Sequence, residues 1–134
     1  MVFERVTRKV QFLGGLSLLW SLWVCPVQAK AVPEVVDATI GLLQLPKEGQ
    51  ETYRLIHQGG PFPYEKDGVV SGNRERLLSS KPRGYYHEYT VKTPGERSRG
   101  ARRIVCGGLE VSKPQNCFYS DDHYASFREI LEKK

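Results

Sequence analysis

The Pro61-Phe62-Pro63 segment divides this sequence into two textures, and that division limits the available folds more than any other feature. Before it, one stretch reads as a helix. Pro46 suits a first helical position, Glu48 falls in the first turn, Tyr53 and Ile56 share a face, and Gly59-Gly60 stops the run. Gly49 weakens that helix by about 1 kcal/mol relative to alanine, so packing against a sheet must supply most of its stability. After the prolines come short runs rich in Tyr, Val and Thr, separated by Gly and Pro, which read as antiparallel strands. A helix followed by strands predicts an α+β domain. The strongest strand spans residues 85–92 and ends at the Thr93-Pro94-Gly95 turn. A second covers 101–106 and a third 118–127, joined by a polar loop containing Gly107, Gly108 and Pro114. Residues 31–44 read either as a lead-in or as a first short helix, and residues 129–134 as a solvated end.

The first 29 residues have the pattern of a secretory signal peptide. Arg5, Arg8 and Lys9 precede an apolar run over 12–24, and small residues follow at Ala29 and Ala31. That run is shorter than the roughly 20 residues a membrane-spanning helix needs. An uncleaved anchor is the alternative. Val27-Gln28-Ala29 and Ala29-Lys30-Ala31 both offer cleavage sites. Cys25 lies within the leader, where the bulky Val24 before it argues against lipid attachment. Cleavage leaves residues 30–134 as a single domain exported from the cell, without a membrane segment. The whole chain carries a formal charge of +5, and the remainder stays basic, which suits an anionic partner. With 40% hydrophobic residues the chain is not wholly disordered. Three cysteines exclude a disulfide-knotted miniprotein and a four-thiolate zinc site. Two of them, Cys106 and Cys117, remain after cleavage. In an oxidising compartment they suit one bridge, with two free buried thiols as the alternative.

Strand alternation puts Glu88 and His87 on opposite faces, with Glu88 beside Tyr86 and Thr90. The returning segment brings Arg97, Arg99, Arg102 and Arg103 nearby, and planar guanidinium forks bind phosphate oxygens bidentately. A solvated basic loop is the bland reading of that cluster. His123, beside Asp121, Asp122 and Tyr124, could face the same floor as Glu88. An ionised Glu accepts a proton and a protonated His donates one near neutral pH, given ordinary values of about 4.3 and 6.5. That pairing fits cleavage of RNA, which brings its own nucleophile in the 2′-hydroxyl, and needs no metal or cofactor. A divalent-cation site at Asp121-Asp122-His123 is disfavoured because adjacent strand residues alternate faces.

Several blocks resemble the secreted microbial guanyl-preferring ribonucleases of the barnase type, especially the RNase Sa branch, over residues 45–130. They are Pro61-Phe62-Pro63-Tyr64, Asp67-Gly68-Val69-Val70, Asn73-Arg74-Glu75, Tyr85-Tyr86-His87-Glu88-Tyr89-Thr90-Val91, Thr93-Pro94-Gly95, the run 99–104 and His123-Tyr124-Ala125. Any one of these alone is a weak signal, whereas the ordered set is specific. The resemblance implies an N-terminal helix packed on a twisted antiparallel β-sheet whose concave face holds the active site. Glu88 falls on the family's general base and His123 on its general acid. Arg99 and Arg103 fall on the pair that binds the scissile phosphate. Glu75, with Asn73 and Arg74, falls on the guanine-recognition segment, and Tyr124 on an aromatic beside the substrate. His87 points away from Glu88, toward a packing role.

The implied activity is cleavage of single-stranded RNA 3′ to guanosine, through a 2′,3′-cyclic phosphate that is hydrolysed more slowly. The rivals are a basic RNA-binding protein without catalysis and a ribonuclease with relaxed base preference. A monomer is expected, and the resemblance implies a barstar-like inhibitor as a protein partner. Two departures stand out. Relatives have an aromatic where this chain has Ser71, so the base loses a stacking floor worth about 1–3 kcal/mol. The branch's terminal-region bridge has no counterpart here, and a Cys106–Cys117 bridge would instead tie the second strand to the third near His123.

Overall fold

A computed structural model describes residues 38–133; the expected leader, its candidate cleavage sites and Cys25 lie outside them. The order is β1 (Thr39–Gly41), a 3₁₀ turn (Leu42–Gln44), α1 (Lys47–Gln58), β2 (Val69–Val70), β3 (Tyr86–Thr90), β4 (Arg103–Gly107), β5 (Asn116–Ser120) and β6 (Arg128–Leu131). The six strands form one sheet in the order β1-β6-β5-β4-β3-β2. Only the β1–β6 pair is parallel. One helix on a mostly antiparallel sheet is the α+β architecture expected from the order of textures. Among the described residues no helix is long and apolar enough to cross a membrane.

The helix starts one residue later than the sequence suggests. Pro46 is its N-cap, with extended ψ of 150°, and its carbonyl accepts from Gly49 N at 2.8 Å and Gln50 N at 3.0 Å. Gly59 ends the helix in the left-handed region at φ 77°, where glycine carries no steric penalty. The buried Ile56 and Thr52 face the sheet, and Thr52 Oγ1 donates to the Thr90 carbonyl at 3.2 Å. On that face Ile56 and Leu45 join Tyr89, Val91, Ile104, Tyr119 and Ile130 in the larger core cluster.

The disulfide Cys106–Cys117 lies in the same cluster. Its cysteines are directly opposed in the β4–β5 register, with Cα atoms 4.1 Å apart. It does tie these two strands, but on the helix side of the sheet. The expected proximity to His123 is therefore corrected, because alternation sends Cys117 and its neighbour Phe118 to opposite faces. Phe118 belongs to the second cluster, with Leu78, Tyr86, Val105 and Phe127, and Tyr124 packs against it.

Three sequence expectations change. Of the segment 31–44, the described residues 38–44 hold the short helix as a 3₁₀ turn at Leu42–Gln44, and before it a strand that was not expected: Ile40 is buried in β1, opposite Ile130. The strand expected at 118–127 ends at Ser120, and residues 121–126 form a bend and turn. The expected solvated end instead contributes β6, whose Ile130 is 6% exposed. The apolar signal in β1 and β6 is only one or two residues long, and pairing across the chain decides both.

Candidate active site

Alternation along the central strands builds the floor. Tyr86, Glu88 and Thr90 point away from the helix, and the register sets Glu88 opposite Val105, and Thr90 opposite Arg103. Arg103 is in turn opposite Ser120. Glu88 and Arg103 are thus diagonal neighbours on one face. The Glu88 side chain retains 18% exposure, enough to meet a ligand.

Arg99 descends on Glu88 from the loop between β3 and β4. Its Nε donates to Thr90 Oγ1 at 2.8 Å. Its Nη2 lies 4.0 Å from Glu88 Oε1 and 3.8 Å from Asp67 Oδ1, and makes no hydrogen bond. Gly100, at φ 63°, lets the loop close: a Cβ there would meet Thr93 Oγ1 at 2.7 Å. Arg103 is 3% exposed and has no carboxylate in ion-pair range among the described residues. Its Nη1 donates to the carbonyls of Arg102 at 2.8 Å and Gly100 at 3.0 Å, and its Nε to the Tyr124 hydroxyl at 3.1 Å. Such carbonyls partly compensate a buried cation and leave its positive charge available to an anion.

His123 comes from the turn, not from a strand. His123 and Tyr124 both adopt left-handed backbone, with φ of 58° and 71°. Consecutive non-glycine residues there are strained, a condition that clusters at functional sites. Several bonds hold the turn: His123 N donates to Ala101 O at 3.2 Å, Tyr124 N to Ser120 Oγ at 2.9 Å, and Ser126 N to Asp122 Oδ1 at 2.9 Å. The hydroxyls and amide of Ser126 and Ser120 hold the Asp122 carboxyl below its ordinary value, the Ser126 hydroxyl most strongly. Asp121 pairs with Arg128 at 2.8 Å. The argument from strand alternation against a cation site here is therefore replaced: Asp121 and Asp122 are committed to separate local bonds. No cluster of three His, Cys, Asp or Glu suited to a metal occurs among the described residues.

One cleft of about 570 Å³ is lined by Glu88, Arg99, His123 and Tyr124 together with Ser71, Asn73, Arg74 and Glu75. Arg103 lies beneath Tyr124. Burial pushes the Tyr124 phenol above its ordinary value; the Glu88 carboxylate adds to that rise and Arg103 opposes it. All eight residues expected to act on substrate thus belong to this cleft or to its floor. The other two arginines of the cluster do not. Arg97 is exposed on the loop, and the charge of Arg102 acts on Tyr119, in the helix-side core.

The recognition segment is a turn in which Arg76 N donates to Asn73 O at 3.0 Å. Asn73 spends its side chain on the loop, donating to Leu78 O at 2.8 Å and accepting from Leu78 N at 3.2 Å. Its backbone, and not its amide group, remains for a ligand. Arg74 and Glu75 are exposed at the turn's centre. His87 lies on the opposite face from Glu88, with its ring nitrogens 2.8 Å from Gly68 O and 3.1 Å from Gly84 O.

Sequence reasoning assigned no role to Asp67, which the structure buries with 1% side-chain exposure. Its Oδ1 accepts from Thr90 N at 2.7 Å, and its Oδ2 from Tyr64 N at 3.3 Å. Asp67 therefore fixes the strand beneath Arg99. An Asp before a Gly reads as an ordinary turn residue, so only its tertiary partners reveal it.

A buried guanidinium, a partly exposed carboxylate and a histidine on a strained turn, assembled on an antiparallel sheet, define a compact α+β protein built around an anion-binding cleft. The chain belongs to the ribonuclease family, whose family model matches residues 28–131. It is 55% identical over 86 residues to guanyl-specific ribonuclease Sa3 of Kitasatospora aureofaciens, a match covering 64% of this chain and 58% of that protein. It is 51% identical over 92 residues to guanyl-specific ribonuclease Sa of the same organism, covering 69% of this chain and 92% of that protein. A crystal structure of ribonuclease Sa2 with guanosine-2′-cyclophosphate superposes with a TM-score of 0.64 at 47% identity, covering 72% of this chain and 99% of that one. These similarities put the chain in the Sa branch.

Proposed function

We propose that this protein is a guanyl-preferring endoribonuclease, cleaving single-stranded RNA 3′ to guanosine without a metal. The observation that carries this reading is the single cleft in which Glu88, Arg99 and His123 meet the Asn73-Arg74-Glu75 turn. Glu88 takes the proton from the 2′-hydroxyl, whose oxygen then attacks phosphorus. His123 gives a proton to the departing 5′-oxygen as the P–O5′ bond breaks, leaving a 2′,3′-cyclic phosphate. Arg99 and Arg103 oppose the charge gathering on the phosphoryl oxygens. In the slower second step the roles reverse: His123 takes a proton from water, and Glu88 returns one to the 2′-oxygen. The exposed Glu75 carboxylate matches the paired N1 and N2 hydrogens of guanine, and backbone amides of the turn can donate to O6. Guanine is also the base for which the relatives are specific and the base of the nucleotide in the Sa2 complex.

The same reading takes residues 1–29 as a cleaved signal peptide, residues 30–134 as the secreted monomeric domain, and a barstar-like inhibitor as the partner that protects the producing cell. Incubating a defined single-stranded RNA with the protein and a chelator, then mapping product ends, tests the proposal. Ends carrying guanosine 2′,3′-cyclic or 3′-phosphate are expected. Ends spread over all four bases would favour relaxed preference, loss of activity with chelator a metal nuclease, and intact RNA a binding protein without catalysis.

A further inference from the structure

A second groove, of about 870 Å³, adjoins the catalytic cleft and shares residues 70–74 with it. Its lining includes Arg74, Arg76, Lys81 and Arg83, and no carboxylate. All four cations are exposed, and none makes an ion pair among the described residues. Lys81 is engaged only with the Tyr85 ring, its ammonium 5.2 Å from the centroid. Small hydroxyl residues, Ser71, Ser79 and Ser80, lie among them. The walls are braced: the Asn73 side chain is tied to Leu78, and the Tyr86 hydroxyl donates to Ser79 O at 2.9 Å.

Several uncompensated positive charges spread along a preformed groove suit a polyanion with regularly spaced charges, and they steer it from solution. Direction follows from position. Residues 70–74 form the wall common to both spaces, while Glu75, Glu88, Arg99 and His123 line only the catalytic cleft. Since His123 protonates the leaving 5′-oxygen, the downstream strand departs on its side. The strand preceding guanosine leads across the recognition turn into the groove. We propose that this groove binds the phosphodiester backbone of the RNA on the 5′ side of the cleaved guanosine, an assignment that rests on the ribonuclease reading above.

The test compares the secreted protein with a double variant, Lys81→Gln and Arg83→Gln; Arg74 and Arg76 are left intact because they belong to the recognition turn. Three substrates are cleavable only at guanosine, which alone carries a 2′-hydroxyl beside a phosphodiester: GpU, GpU extended 5′ by three deoxyuridines, and a 3′-extended substrate in which guanosine is followed by four deoxyuridines. In the wild type the 5′ extension should raise kcat/KM about tenfold at low salt, and the log–log salt slope of that gain should be near −0.7 per phosphate contact. The double variant should lose most of the gain while GpU and the 3′-extended substrate are cleaved as before. A gain that survives in the variant, an equal loss on the 3′-extended substrate, or a fall on GpU itself would each overturn the assignment. Fluorescence anisotropy with labelled hexathymidylate, which lacks the 2′-hydroxyl, reads the groove without catalysis. Wild type should bind it several-fold more tightly than the variant, and equal binding would also overturn the assignment. Failure of the wild type to cleave GpU would instead sink the ribonuclease reading and leave this binding comparison intact.

Discussion

Arg99 holds its guanidinium 4.0 Å from the Glu88 carboxylate, within ion-pair range and too far for a direct hydrogen bond. Arg99 therefore does not occupy the carboxylate oxygens that the proposed mechanism needs for a substrate proton. Replacing Glu88 by Gln, or His123 by Gln, should lower kcat/KM on GpU by about 10² to 10⁴. In the wild type kcat/KM should be bell-shaped in pH, with the acid limb lost in Glu88→Gln and the basic limb lost in His123→Gln. A limb that persists after its residue is removed assigns that proton transfer to another group.

Asp67 meets Arg99 from the other side, at 3.8 Å, while accepting the Thr90 amide proton. Asp67→Ala would leave a buried N–H without an acceptor and Arg99 without one of its two carboxylates. Breaking a buried, hydrogen-bonded charge in this way costs about 3–5 kcal/mol. Urea unfolding at neutral pH measures it, and a loss below about 1 kcal/mol would remove Asp67 from the framework of the site.

Tyr86, His87, Glu88, Tyr89 and Thr90 were readable as a strand from their composition, and alternation alone told Glu88 from His87. The helix was readable from Pro46, Glu48 and the Gly59-Gly60 stop. What the sequence hid depends on contacts between distant residues. Ile40 in β1 and Ile130 in β6 each look like an isolated apolar residue until they are paired. The turn carrying His123 reads as strand because Phe118, Tyr119, Tyr124 and Phe127 favour sheets, whereas Asp122 and Ser120 divert the backbone into the left-handed region. Glu88, His123 and the arginine cluster stand out by their chemistry, whereas Asn73, Arg74, Glu75 and Tyr124 are legible only through ordered blocks resembling a family. The basic groove had no such pattern, since Arg76, Lys81 and Arg83 belong to a loop whose course only the fold determines.

Ser71 lines the cleft at the position where the family resemblance calls for an aromatic, and among the described residues Tyr124 is the one Phe, Tyr or Trp on its walls. In the proposed reading the guanine preference then rests on Glu75 and backbone donors. Ser71→Phe should tighten binding of guanosine 3′-monophosphate by about 1–3 kcal/mol and widen the ratio of cleavage at guanosine over adenosine. Calorimetric titration and dinucleotide kinetics give the two numbers; an unchanged ratio would mean that another group already supplies the floor.

The Cys106–Cys117 bridge closes a loop with a sequence separation of 11 and lies on the helix side of the sheet, away from Glu88. Chain-entropy reasoning assigns such a loop about 3 kcal/mol. The double variant Cys106→Ala, Cys117→Ala should unfold at a temperature lower by about 10–20 °C. At 25 °C it should cleave GpU at the wild-type rate, because no catalytic side chain touches the bridge. A kinetic defect in the still-folded variant would show that the hairpin's order reaches across the sheet to the site.

Asp122 connects stability to pH at the turn that carries His123. Its carboxyl is held below its ordinary value, chiefly by the Ser126 hydroxyl, so the ionised form is favoured by folding. For a group depressed in the folded state, the stabilisation is complete above the unfolded pKa and is lost as pH falls through the folded one. Asp122→Asn should therefore be less stable than wild type at neutral pH, with the gap closing on acidification below the usual aspartate range. The neutral amide also weakens the bonds that keep His123 and Tyr124 at positive φ, so kcat should fall more than KM rises. Unfolding free energies measured across that pH range, set beside kcat at neutral pH, separate the two effects. A stability gap independent of pH would mean that the carboxylate's charge does not hold the turn.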